Sequence, residues 1–230
     1  MNKQKTFVLG DPHGGYKALL HVMERSGFNY KKDHLICLGD VADGFTETPE
    51  LIEELLKIKN LIMVLGNHDF WLLNWLKNEK NKPDIWTMQG GYNTLVGYER
   101  RPDLKKKHLK FLKSLPYYYI DEKNRLFVHG GFKPGENPKD TDKEYLMWDR
   151  QLWENRHNSS SKRIAMMQFE EVYVGHTSIY NFSHKPINQG NICFMDTGGG
   201  FEGKLSLMNI DTKEVFQSDM VKDLYPEVRW

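Results

Sequence analysis

Short apolar runs alternate with amphipathic stretches through the first third of the chain. TFVLG (6–10) reads as a strand, YKALLHVMERSG (16–27) carries apolar residues at helical spacing and stops at Gly27, and HLICLG (34–39) is a second strand. ETPELIEELLKIK (47–59) is a helix with a proline near its first turn, LIMVLG (61–66) a third strand, and DFWLLNWLK (69–77) opens another helix. This βαβαβα order predicts an α/β sheet, and in such sheets the reacting groups collect at the carboxyl ends of the strands.

Between 78 and 101 the periodicity fails. NEKNKPDIWTMQGGYNTLVGYERR is turn-rich yet carries Trp86, Tyr92 and Tyr98, as an inserted loop or small cap would. PDLKKKHLKFLKSLP reads as a helix with a basic exposed face. Beyond it YYYID, RLFVHG, EVYVGH, NICFMD and KLSLMNID are short strands, with a hairpin-like turn at DTGGGFEG (196–203), so the second half adds a more antiparallel sheet. The expected architecture is α/β, two packed mixed sheets flanked by helices, in one domain over residues 1–230.

Composition narrows the class only slightly. Apolar residues make up 39%, and Lys+Arg 32 nearly balance Asp+Glu 31, so a net charge of +1 gives no reason to expect nucleic acid as a stable partner. Cys37 and Cys193 lie inside apolar runs, where thiols behave as small hydrophobes, and a reducing compartment fits them. The start, MNKQKTFVLGD, is too short in apolar residues for a signal-peptide core or a membrane span. The expectation is a cytoplasmic protein with no membrane partner.

The chemistry sits at the strand ends. TFVLG is followed by Asp11 and His13, HLICLG by Asp40, LIMVLG by Asn67 and His68, RLFV by His129, and EVYVG by His176. One such residue alone is usually a satisfied polar group at an element end. Five strand ends of one chemical kind are a ligand set for divalent first-row metals, and the absence of cysteine from it argues against structural zinc. The ligands exceed one open site, which points to two metals sharing a carboxylate.

GDPHGG, GDVAD, GNHD, HGG and GHT, in this order from Gly10 to about Gly203, resemble the phosphoprotein phosphatase branch of the calcineurin-like metallophosphoesterases, especially the compact bacterial and phage Ser/Thr phosphatases. The resemblance implies that Asp11, His13 and Asp40 hold one metal and that Asp40 bridges to a second held by Asn67, His129 and His176. Manganese is the expected metal, with iron or zinc as alternatives. It implies direct attack on phosphorus by the bridging hydroxide, His68 protonating the leaving oxygen, Asp43 holding the other ring N–H of His68, and Arg150 clamping the phosphate. The implied substrate is phosphoserine or phosphothreonine in a protein or peptide, or a small phosphorylated molecule. The first alternative is hydrolysis of dinucleoside polyphosphates or a phosphodiester, to which GNHDFWLL is similar, whereas Asp43 favours the protein-phosphatase pattern. A non-catalytic metal- or phosphate-binding module is the alternative of a different class.

The family pattern GDxxDRG carries a second phosphate-clamping arginine where this chain has Gly44, followed by Phe45. Three explanations follow: Lys133, Arg100 or Arg101 supplies the charge; the substrate brings its own recognition group; or the protein is impaired. Other features receive bland readings. His21, His34, His108, His157 and His184 are exposed or partly buried, KKKHLK is a solvated helix face, and Trp71 and Trp75 are core residues. Trp86, Tyr92 and Tyr98 either close the insert's own core or line a groove, and the tail DLYPEVRW either docks on the body or mediates association.

Overall fold

In the computed structural model, which describes residues 4–155 and 168–227, the leading strands form as β1 (Thr6–Leu9), β2 (His34–Cys37) and β3 (Asn60–Met63). They pair in parallel, with Val8 beside Ile36 and Ile36 beside Ile62. Alternation along β1 then decides the layers. Phe7 and Leu9 face a cluster shared with the helices α1 (Tyr16–Ser26), α2 (Thr48–Leu55) and α3 (Asn67–Lys77), while Val8 faces the opposite way, into a cluster with Phe127, Tyr173 and Met208.

A second sheet supplies that opposite side. Its order is β4 (Tyr118–Ile120), β5 (Arg125–Val128), β6 (Glu171–Val174), β8 (Ile192–Phe194) and β7 (Ile187–Gln189). Phe127 and Tyr173 stack across β5 and β6 at 5.0 Å in the inter-sheet core. Their neighbours Val128, Val172 and Val174 turn outward onto Leu146 of α7 (Lys143–Trp148) and onto Leu152 and Trp153 of α8 (Gln151–Glu154). The layers are therefore helix, sheet, sheet, helix, as expected. Cys37 belongs to the helix-side core and Cys193 to the inter-sheet core, and both are free thiols.

Two expectations about the second half need correction. Its sheet is parallel at the centre, β5 with β6 and β6 with β8, and antiparallel only at the edges. The segment DTGGGFEG is no hairpin: it carries the chain from β8 back to the first sheet, where β9 (Ser206–Asn209) joins β1 antiparallel and β10 (Val215–Gln217) forms the edge. Apolar alternation marks a strand but not its partner, and a return across two sheets leaves no local signal.

The insert is helical: α4 (Asp84–Trp86), a wide turn over Thr87–Gly91 opened at Gly90 (φ +94°), and α5 (Tyr92–Arg100). The basic helix follows as α6 (Lys105–Lys113). Trp86 and Tyr98 are buried in the helix-side core, whereas Tyr92 stands out at the surface, so the two readings of these aromatics divide between them. On α6, Lys105 lies over the Trp75 ring and Lys107 pairs with Glu53, but His108 is fully buried between the Tyr98 hydroxyl (2.7 Å) and Glu53 (2.9 Å), contrary to expectation.

The tail docks through α9 (Val221–Leu224) and Tyr225, which stacks on Phe45 at 4.0 Å and donates to Glu47. His157 and residues 228–230 lie outside the described residues. Among the described residues no helix is long and apolar enough to cross a membrane.

Candidate active site

The carboxyl ends of β1, β2, β3, β5, β6 and β8 meet where the two sheets abut, and each delivers polar side chains. Their turns need unusual backbone: four of the six described non-glycine residues with positive φ are His13, Asp40, Asp43 and His176, conformations kept only where the surroundings over-determine them. The approach is close enough that a Cβ on Gly175 would lie 2.2 Å from Asp11 Oδ1.

Asp40 is the common member of two ligand groups, one with His13 and His68 and one with His129 and His176. Its Oδ2 lies 3.7 Å from His13 Nε2 and 3.1 Å from His129 Nε2, and its Oδ1 accepts the His68 backbone N–H at 2.9 Å. The imidazoles share one device. His13 Nδ1 donates to Ala42 O, His129 Nδ1 to Leu38 O and His176 Nε2 to Trp148 O, so the other nitrogen of each is the one left to offer a cation, on His129 once its proton is displaced. Asn67 Oδ1 adds a neutral oxygen 2.9 Å from His129 Nε2.

Asp11 accepts the His176 backbone N–H on Oδ2 at 2.7 Å, while its Oδ1 is buried without a hydrogen-bond partner. Burial, and then Asp196, push the Asp11 carboxyl well above its usual range, and burial lifts Asp196 to about 6. Burial would raise Asp40 too, but His129, His68 and His13 together hold it below the usual carboxylate range. Burial pulls His176 down to about 2 and His13 to about 4, whereas at His129 the Asp40 charge overcomes burial and lifts it to about 9. Three buried carboxylates, imidazoles tethered by one nitrogen and an orphaned carboxylate oxygen fit divalent cations, whose binding displaces the protons these groups otherwise hold.

His68 stands beside this cluster rather than only within it. Its Nδ1 lies 2.6 Å from Asp43 Oδ2, and its ring is edge-on to His13 at 4.9 Å and to Trp71 at 5.0 Å. Trp71, expected in the core, is half-buried and joins His68 to Trp148. Arg150, at the start of α8, donates Nη1 to His176 O and Thr177 Oγ1.

Two acids escaped the sequence reading. Asp196 follows β8 as the candidate ligands follow their strands, but NICFMD reads first as a buried run. Asp69 accepts the N–H groups of Val41, Ala42 and Gly66, fastening the GNHD turn to the GDVAD loop. Its place three residues after Gly66 is half of a capping-box pattern, a carboxylate taking the N-cap N–H with no N-cap side chain to reciprocate, and is the partial signal that could have found it.

A cleft of about 660 Å³ opens over these groups, lined by His13, His68, Arg150, His176 and Asp196 and, from the insert, by Met88, Gln89, Tyr92 and Asn93. Among the described residues lining it, Arg150 is the one Lys or Arg. None of the three proposed substitutes for the family arginine reaches it. Lys133 lies over Tyr145 beside Glu136, Arg100 donates to Thr46 O, and Arg101 forks onto Asp103.

Gly44 explains why. It has φ +71°, a Cβ there would meet His13 O at 2.8 Å, and Gly90 of the insert presses on its backbone while Asn93 donates to its carbonyl. Gly44→Arg is expected to lower stability by about 1–3 kcal/mol, through the left-handed backbone and overpacking. The denaturant midpoint measures this, and an unchanged midpoint would mean that the insert yields.

The family model described as calcineurin-like phosphoesterase matches residues 5–197. Among curated proteins, a symmetrical bis(5'-nucleosyl)-tetraphosphatase of Proteus mirabilis (strain HI4320) is 31% identical over 136 residues, covering 56% of this chain and 45% of that one. The protein of the same name from Buchnera aphidicola subsp. Acyrthosiphon pisum (strain Tuc7) is 28% identical over 134 residues with the same coverage. The chain thus spans about half the length of the curated relatives it matches.

Among solved structures, a "putative diadenosine tetraphosphatase" has a TM-score of 0.69 at 16% identity, covering 93% of this chain and 92% of that one. A protein serine/threonine phosphatase from Saccharomyces cerevisiae has a TM-score of 0.60 at 16% identity, covering 94% and 80%. At these identities the likeness is one of fold.

Proposed function

The chain belongs to the calcineurin-like phosphoesterase family, and on that premise we propose a dinuclear metal-dependent hydrolase that cleaves a phosphoric ester or anhydride of a nucleoside polyphosphate. Asp11, His13 and Asp40 would hold one cation, and Asp40, Asn67, His129 and His176 the other; Asp196, beside Asp11, adds negative charge to the same pocket. Bound divalent cations supply Lewis-acid charge to phosphoryl oxygens and lower the pKa of water. The chain's own groups do the rest. Arg150 presents a guanidinium fork to phosphoryl oxygens. His68, its Nδ1–H held by Asp43, would act as the imidazolium and give the proton on its other nitrogen to the leaving oxygen, ending as the neutral Nδ1–H ring.

The observation that carries the substrate class is the replacement of the missing clamp. Where the resemblance expects an arginine, the insert instead brings apolar and amide groups, Met88, Tyr92, Gln89 and Asn93, and Phe201 also lines the cleft; Met88, Tyr92 and Phe201 are 82%, 64% and 55% exposed. A substrate that carries its own recognition group suits such a mouth, since a base has faces for the aromatics and edges for the amides. The curated relatives named as symmetrical bis(5'-nucleosyl)-tetraphosphatases support the same reading. A second reading, phosphoserine or phosphothreonine hydrolysis, is favoured by the His68–Asp43 pair, because a departing alkoxide needs a proton more than a departing phosphate does.

The test uses protein stripped by chelation and re-supplied with manganese, iron or zinc in turn. Diadenosine tetraphosphate is expected to be hydrolysed only after metal is restored, with kcat/KM above that for a phosphoserine peptide. A reversed ranking establishes the second reading, and no turnover of either substrate with two metals bound refutes the hydrolase.

A further inference from the structure

Asp43 is buried, and its carboxylate is gripped on both oxygens. Oδ2 receives His68 Nδ1 at 2.6 Å and Trp86 Nε1 at 2.8 Å, and Oδ1 receives Thr94 Oγ1 at 2.8 Å. The Thr94 hydroxyl also accepts the Asp43 backbone N–H at 2.8 Å and lies 3.2 Å from Thr48 Oγ1. Two of these three side-chain donors come from the insert, about fifty residues along the chain. Asp43 itself has φ +73°, so its backbone does not hold this pose by local preference.

Trp86 is seated with equal care. Its indole is buried, and Gly91, one turn later, lies so close that a Cβ there would sit 2.5 Å from Nε1. A side chain larger than hydrogen at Gly91 would drive the indole N–H off the carboxylate. The wide turn of the insert therefore both closes over Gly44 and aims Trp86 at Asp43.

We infer that Trp86 and Thr94 are positioning residues for proton delivery: by fixing both oxygens of Asp43 they fix the ring orientation and tautomer of His68, so that the insert is a working part of the site. A carboxylate held only by His68 could rotate about its terminal torsion, which is broad and roughly two-fold, and the ring would turn with it. With donors on both oxygens, Oδ2 stays toward His68, Nδ1 keeps its hydrogen, and the other nitrogen stays toward the cleft. The inference rests on the reading of His68 as the proton donor, and its test separates the two.

Thr94→Val removes the hydroxyl at constant shape, Trp86→Phe removes the indole N–H, and Thr94→Ser restores the first contact. Each is compared with wild type and His68→Asn on phenyl phosphate, whose leaving group needs a proton, and on p-nitrophenyl phosphate, whose leaving group does not. Thr94→Val and Trp86→Phe are expected to lower kcat on phenyl phosphate about 10–100-fold, the range for partners that orient a reacting side chain. On p-nitrophenyl phosphate the loss should stay within about threefold, and Thr94→Ser should recover the first activity.

The ring-nitrogen spectrum of His68 in the zinc-loaded protein gives a readout independent of turnover. At a pH where the ring is neutral, its one hydrogen is expected on Nδ1 in wild type and Thr94→Ser, and shared between the two nitrogens in the other two variants. Equal losses on both esters, or an unchanged nitrogen spectrum, overturn the positioning role. If His68→Asn itself shows no leaving-group dependence, the proton-donor reading fails and this inference falls with it. If His68→Asn shows that dependence and the insert variants do not, the positioning role alone is overturned.

Discussion

Asp40→Asn is expected to lose at least one of two bound cations and to lower kcat/KM at least about 10³-fold, since a catalytic metal supplies several kcal/mol of charge stabilisation at about 1.4 kcal/mol per tenfold. Asp40 is the member common to both ligand groups, with Oδ2 facing His13 and His129. The amide conserves shape, and its oxygen still accepts the His68 backbone N–H that Oδ1 now takes. What changes is charge and polarity: the side chain becomes neutral, and the one orientation that preserves that bond turns an N–H donor toward His13 and His129. Metal content by mass spectrometry, taken with kinetics and a denaturation curve, checks each part. Two tightly held cations in the variant, or full activity with one, would refute the shared carboxylate.

The clustering of the candidate ligands was legible because each directly follows an apolar strand and a tight turn, so that sequence position and spatial position coincide. Asp11, Asp40, Asn67, His129 and His176 all converge as that pattern implies. Asp196 obeys the same rule and was missed only because NICFMD was weighed as a buried run. The insert was illegible for another reason. Its helices α4 and α5 are short, a Gly90–Gly91 break separates them, and Pro83 precedes them, so no 3.6-residue stripe accumulates. Its order comes from tertiary partners: Trp86 and Thr94 on Asp43, Asn93 on Gly44, and Tyr98 on His108.

The same limit applies to Gly44. The sequence displays the absent arginine, but the reason, Gly90 and Asn93 of the insert lying against that backbone, exists only in the fold. The return of β9 and β10 to the first sheet is likewise a long-range pairing that short alternating runs cannot announce.

His68→Asn is expected to keep both cations and lower kcat by about 10²–10⁴-fold on substrates with poor leaving groups, the span associated with a lost general acid. The effect should fall on one step. The His68 side chain meets Asp43 through Nδ1, and its backbone N–H, which is unaffected, is what holds Asp40 Oδ1. Asparagine can take up the bond to Asp43 through its amide, but it has no second ring nitrogen on the cleft side and no proton to give at neutral pH. KM should therefore move little, because the phosphate contact attributed to Arg150 and the cations is untouched, and kcat should carry the loss, as when an interaction made only in the transition state is removed. Titrating the series from alkyl through phenyl to p-nitrophenyl phosphate gives the decisive slope: the variant should approach wild type as the leaving group improves. A uniform loss along the series would instead assign His68 to the ligand group it shares with His13 and Asp40, and metal content measured on the same sample would separate those two roles.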